Sequence, residues 1–204
     1  KGEFSAAAGA ITQAIELTDQ NKSKNYMSRA KVWKRMREFA HAFADLARAI
    51  KWNPRLVQAY RERAILWRRQ KEDARELDDW SRVLELDPQD LVARRGRASN
   101  LQRTGQHAAA MQEYTAILQQ QPGNRSALAA RADLRKKTAD FSGAIRDYQS
   151  LAVVSPQMKS RYDVARGRCL VRLGRYLEAL AAFEQASEER ENYHVAYQER
   201  AWLL

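Results

Sequence analysis

The sequence holds a single cysteine, Cys169, so it has no pair for an internal disulfide and no set of thiolates for a metal. It has only 4 prolines and 8 glycines in 204 residues, too few turn formers for an all-β chain. No apolar run approaches the roughly 18–20 residues that cross a bilayer. The glycines are scattered and form no phosphate-cradling loop. The three histidines, His41, His107 and His194, stand far apart, and none has a His or Cys partner at metal-ligand spacing. The acidic pairs Asp78-Asp79 and Glu188-Glu189 are sequence neighbours, which do not face one another on a helix. The chain therefore reads as non-enzymatic, with no cofactor and no metal. It starts without Met and without a basic-then-apolar leader. We read it as a fragment or processed product, soluble and with a cytoplasmic location favoured; a removed signal peptide is compatible with that start.

What is present is helix-forming. Ala, Leu, Arg, Glu and Gln dominate, 45% of residues are hydrophobic and 30% are charged. The net charge is +11, a field that favours acidic partners of any class.

The prolines form a ruler. They are Pro54, Pro88, Pro122 and Pro156, each 34 residues from the next. Fixed periods of this length mark stacked repeats. Small residues share the register at Ala30, Ala64, Ala98 and Ala132, followed by Gly167 and Ala201. Bulky residues do so at Leu46, Trp80, Tyr114, Tyr148 and Phe183. The last unit slips by one residue near Lys159 and carries Glu191 where proline is expected. Each unit reads as two helices. In 91–122, a first helix ends at Gly105, which tolerates left-handed geometry. A second helix places Ala110, Met111, Tyr114, Ile117 and Leu118 on one stripe until Pro122 stops it. A small residue in the first helix opposite a bulky one in the second lets the two axes approach closely.

This pattern resembles the tetratricopeptide repeat family over nearly the whole chain. The resemblance rests on the period, the small first-helix residue, the prolines, and the alanine with an aromatic in the second helix: Ala110 with Tyr114, Ala144 with Tyr148, Ala179 with Phe183. It implies an all-α, right-handed α-α superhelix of antiparallel helix pairs, a single solenoid over 1–204. The units expected are 23–56, 57–90, 91–124, 125–158 and 160–193. Residues 1–22 read as the second helix of an incomplete repeat, and 194–204 as the first helix of a truncated one. The apolar ending Trp202-Leu203-Leu204 leads us to expect a native chain that continues at both ends, or edges that meet another molecule, self-association included. Three departures stand out: Glu76 where a small residue belongs, and Arg94 and Arg135 in place of core residues. Trp33, Trp67 and Trp80 fall in core columns, Trp52 is expected to pack between units, and Cys169 reads as a buried structural thiol.

The charge is layered. First-helix windows carry 23 of the 36 basic residues and only four of the 25 acids: Glu62, Asp133, Asp163 and Glu199. By the family resemblance, first helices line the concave face, which implies a basic groove and an acidic back. Two columns are set aside as structural. Arg29, Arg63, Arg97, Arg131, Arg166 and Arg200 match an acidic column of Asp45, Asp79, Glu113 and Asp147. We expect second-helix acids to pair with the next first helix: Asp45 with Arg63, Asp79 with Arg97, Glu113 with Arg131, Asp147 with Arg166. Arg35, Arg69, Arg103, Lys137 and Arg172 end the first helices, where cations suit the helix dipole.

The remaining cations are the candidate groove. They are Lys24, Lys31, Lys34, Arg61, Arg68 and Arg95, with Lys136, Arg161 and Arg168 further along. Arginines there would grip a carboxylate or phosphate in bidentate fashion. The leading expectation is a protein–protein interaction scaffold binding an acidic peptide segment or a C-terminal carboxylate. Family members that clamp the acidic C-termini of heat-shock chaperones use a first-helix lysine with an asparagine four residues on. Here the corresponding places hold Met27/Lys31, Arg61/Ile65 and Arg95/Ser99, so that clamp is not expected. Nucleic-acid binding through the same wall ranks second, and a purely structural arm of a larger protein third.

Overall fold

The computed structural model describes residues 2–17, 19–188 and 194–203. Glu189, Glu191 and Leu204, singled out above, lie outside them. All regular structure among the described residues is helical. The chain divides into two compact units, residues 1–100 and 101–204.

The first unit contains α1 (Gly2–Leu17), α2 (Lys22–Met36), α3 (Phe39–Trp52), α4 (Val57–Gln70) and α5 (Asp73–Leu86), and most of α6 (Leu91–Arg103). The second contains α7 (His107–Gln120), α8 (Arg125–Lys137), α9 (Phe141–Val154), α10 (Lys159–Arg172), α11 (Tyr176–Glu188) and α12 (His194–Leu203). Within each unit consecutive helices pack on one another: α2 on α3 and α3 on α4, then α8 on α9 and α9 on α10.

The hairpin turns repeat one backbone solution. Arg37, Lys71, Gly105, Ala139 and Gly174 all have φ between 60° and 83°. The next residue donates its N–H back to the first helix, as Glu38 does to Trp33 O and Asp140 to Arg135 O. This closes the helix with a left-handed residue. The requirement lies in the hairpin itself, because three of the five positions are not glycine. An L-residue pays a steric cost there. Ala139→Gly is expected to raise stability by about 0.5–1 kcal/mol in urea denaturation. The second helices end on extended residues before proline: Asn53 (φ −138°), Asp87 (−142°), Gln121 (−135°) and Ser155 (−137°). After the last of these, a 3-10 turn over Pro156–Met158 takes up the extra residue of the slipped unit.

The small column is packed from Ala30 to Gly167, with Ala64, Ala98 and Ala132 at zero exposure, while Ala201 at its end is exposed. Trp80 is buried, and Trp67 lies 4.1 Å from Phe43 ring to ring. Trp52 does not pack between units as expected. It is 51% exposed and carries the Lys22 ammonium 4.9 Å from its ring, because the chain turns away at Asn53-Pro54.

The arginine–aspartate columns pair in a different sense from the one expected. Arg29 grips Asp45 through Nε and a terminal nitrogen, both at 2.7 Å. Arg63 does the same to Asp79 at 2.8 and 2.7 Å, and Arg131 to Asp147 at 3.1 and 2.7 Å. The acid lies in the second helix of the same hairpin, sixteen residues on, not in the preceding one. Neither Arg63 with Asp45 nor Arg166 with Asp147 forms. The reason is reach: the antiparallel return of the chain brings residue i+16 level with residue i. The link to the preceding helix runs instead through hydroxyls, Arg29 to Thr12 at 2.8 Å and Arg131 to Thr115 at 3.0 Å. In the slipped unit the acid column holds Ala182, and Arg166 turns to Asp163 (3.3 Å) and Gln185 (3.2 Å).

The three departures are absorbed as polar packing. Glu76 is fully buried and accepts from Trp80 Nε1 at 3.2 Å and Asn100 Nδ2 at 3.0 Å. Arg135 takes the column of Trp33, and both donate to the hairpin aspartate: Trp33 Nε1 to Asp45 at 3.0 Å, Arg135 to Asp147 at 2.7 Å. Arg94 donates to Pro88 O at 2.7 Å. Three of the cations that end the first helices also stack on aromatics. Arg35 lies 6.0 Å from the Phe4 ring, Arg69 5.8 Å from Phe39, and Arg172 5.2 Å from Phe141. Each ring begins the hairpin helix that precedes the arginine's own helix, so the contact ties neighbouring hairpins together.

Candidate functional site

First helices place their exposed cations on the surface left free by the hairpin core. Those cations do not all stay unpaired. Lys34 on α2 meets Glu62 on α4, and Arg61 on α4 meets Asp90. Arg168 on α10 meets Glu199 on α12 at 2.8 Å. Lys136 lies 3.3 Å from Asp133, one turn back on α8. All four first-helix acids are thus engaged, since Asp163 also lies 3.6 Å from Lys159. Asp90 additionally caps α6, accepting from the backbone N–H groups of Val92 and Ala93 at 2.9 and 3.0 Å. Lys24, Lys31, Arg68, Arg95 and Arg161 are exposed, with no acidic partner among the described residues.

In the second unit the geometry converges. Lys136, Arg161 and Arg168 line one open cavity of 550 Å³ between α8, α9, α10 and the start of α12. This lies within the range of about 300–1,000 Å³ usual for ligand pockets. Its apolar wall includes Leu151, Met158, Val164 and Val195. Tyr148 and Tyr162 stack within it, ring centroids 6.5 Å apart and planes 23° apart. Tyr148 donates to Asp133 at 3.3 Å, and the Lys136 ammonium sits 5.7 Å from the Tyr148 ring.

Burial pushes the Tyr148 phenol up, and the pull of Lys136 in the other direction does not cancel it. Burial alone would draw the Lys136 ammonium down; the Tyr148 hydroxyl and Asp133 outweigh it, so the net shift is upward. Lys136 therefore stays charged at neutral pH, with its charge held at the cavity wall.

A second cavity of 500 Å³ adjoins the first, sharing Lys136 and Arg168. Phe141, Cys169, Val171 and Trp202 make its lining largely apolar. Burial pushes the Cys169 thiol up, so the thiolate is scarce. Cys169 is expected to react far more slowly with iodoacetamide at pH 7.5 than after unfolding in urea, as counted by mass spectrometry. Among the described residues no three His, Cys, Asp or Glu side chains come together to hold a metal, and no helix is long and apolar enough to cross a membrane.

Sequence reasoning named the three cations of the cavity only as members of a set of nine, and missed its aromatic wall. Tyr148 stands in the bulky second-helix column and reads as core, which it is, at 6% exposure. The column gives no sign that one ring edge faces outward. Tyr162 and Val195 carry no periodic signal of this kind.

Residues 164–193 match the family described as tetratricopeptide repeat. Among curated proteins none matches the sequence. The fold is shared with solved structures. YrrB, described as a tetratricopeptide protein with an unusual peptide-binding site, superposes with a TM-score of 0.75 at 14% identity, covering 95% of this chain and 99% of its own. A MamA protein gives 0.72 at 15% identity, covering 89% and 95%. A tetratricopeptide repeat protein of Parabacteroides merdae gives 0.66 at 16%, covering 99% and 93%. Residues 164–193 thus match a tetratricopeptide repeat, and the chain as a whole shares the helical-repeat fold of solved tetratricopeptide proteins.

Proposed function

We propose that this protein is a non-catalytic interaction scaffold whose second unit binds an acidic peptide segment, or a free C-terminal carboxylate, in the cavity lined by Lys136, Arg161 and Arg168. The observation that carries the reading is the convergence of these three cations, from two successive first helices, on one cavity. Arg161 has no acidic partner among the described residues and offers a whole guanidinium fork at the mouth. The apolar wall supplies contact area, and the charges supply orientation. The peptide-binding description of YrrB favours the same class of ligand. The six cations of the first unit, Lys24, Lys31, Lys34, Arg61, Arg68 and Arg95, enter the proposal as a secondary basic surface. Two of them are already taken by Glu62 and Asp90.

The test is fluorescence anisotropy with a fluorescein-labelled peptide of Asp, Glu, Gly and Ser carrying a free C-terminus. Replacing Lys136 and Arg161 together by Glu is expected to weaken binding about 100-fold, as two charge-assisted hydrogen bonds are worth about 3 kcal/mol or more. Unchanged affinity would remove the cavity from the proposal. Tighter binding of single-stranded RNA than of the peptide would turn the reading toward nucleic acid. Glu199→Gln frees Arg168 and is expected to strengthen peptide binding up to about fivefold, since an exposed pair is worth about 1 kcal/mol at most.

A further inference from the structure

We propose that the second cavity, walled by Phe141, Cys169, Val171 and Trp202, takes one large apolar side chain of the acidic peptide, an aromatic by preference. This rests on the reading above and adds to it: the ligand becomes an acidic segment with an aromatic anchor beside its carboxylates. Two features carry the inference. The lining is largely apolar, yet the cavity opens beside charge, since Lys136 and Arg168 border both cavities. A carboxylate held by these two cations stands at the junction, and the neighbouring side chain of the same peptide is then placed at the slot. The volume of 500 Å³ accommodates a whole aromatic ring with room for the peptide stem. Arg172 stacks on Phe141 and so holds that wall in place. Lys136 and Arg168 already pair with Asp133 and Glu199, but Arg161 and Arg172 leave the lining of the two cavities positive on balance, and that favours a negatively charged peptide as occupant.

The test compares fluorescein-labelled decapeptides of Asp, Glu, Gly and Ser that carry one Phe with counterparts carrying Ala in its place. On the unaltered chain the Phe peptide is expected to bind about ten- to a hundredfold more tightly, the range for burying one such side chain. Val171→Trp fills the slot and should reduce that preference to less than about threefold while leaving the affinity of the Ala peptide in place. Circular dichroism checks that this variant folds. Independently of any variant, the Phe peptide should slow alkylation of Cys169 by N-ethylmaleimide, and the Ala peptide should not. Equal affinity of the two peptides, with no protection of Cys169, overturns the slot proposal and leaves the groove reading standing. A neutral Phe peptide that binds as well as the acidic one overturns the groove reading and, with it, the coupled ligand. Protection of Cys169 that grows with protein concentration alone makes the occupant a second copy of this chain, and overturns the peptide assignment.

Discussion

Asp147→Ala is expected to cost about 3–5 kcal/mol in urea denaturation, the range for removing one partner from a buried charge cluster. Asp147 is 2% exposed and receives three hydrogen bonds from two guanidinium groups, those of Arg131 and Arg135. Its removal leaves two largely buried positive charges facing each other with no acid between them. Arg135 keeps the Gly143 carbonyl at 3.1 Å and Asp140 at 3.4 Å, which limits the loss but does not replace the shared carboxylate. Asp45→Ala should cost less. There the donors are Arg29 and the neutral indole of Trp33, and Arg48 approaches at 3.3 Å from an exposed position. Replacing Arg131 and Arg135 by Met along with Asp147→Ala should recover most of the loss, because no unpaired charge remains. Hydrogen exchange should place the weakening in α8 and α9, since each repeat draws its stability from itself and its neighbours. A loss below about 1 kcal/mol would show that the cluster behaves as solvated surface.

Gly167→Ala is expected to reverse the usual sign of that substitution. In an ordinary helix interior, alanine is favoured over glycine by about 1 kcal/mol. At Gly167 an added Cβ would lie 2.4 Å from the ring of Phe183, a fully buried side chain. The ring has nowhere to retreat, so the change should destabilise by about 1–3 kcal/mol. In a Phe183→Leu background the same substitution should become neutral or stabilising. A gain in stability from Gly167→Ala alone would mean that α10 and α11 part easily, contrary to the packing described.

The repeat was legible because its signals are local. Pro54, Pro88, Pro122 and Pro156 stop helices by chemistry that needs no partner, and Ala30, Ala64, Ala98 and Ala132 mark close approach wherever they fall. The layering of charge was legible too, since a helix carries its residues with it. Which charge meets which was not. Asp45 stands sixteen residues from Arg29 and eighteen from Arg63, and nothing in the sequence distinguishes the two arginines. The antiparallel return of the hairpin decides for Arg29. The candidate cations show the same division. Nine cations with one helical address look equivalent along the chain, yet Lys34, Arg61 and Arg168 are claimed by Glu62, Asp90 and Glu199.

By itself, then, the sequence determined the helical repeat, its period and the side of each hairpin that bears positive charge. Backbone sterics and hydrophobic spacing act over one or two turns, and so are written in order along the chain. Only the tertiary structure decided that Lys136, Arg161 and Arg168 share a cavity with Tyr148 and Tyr162, and that an apolar slot opens beside it. A cavity is the space several helices leave unfilled, and its shape depends on how they pack together rather than on any one segment.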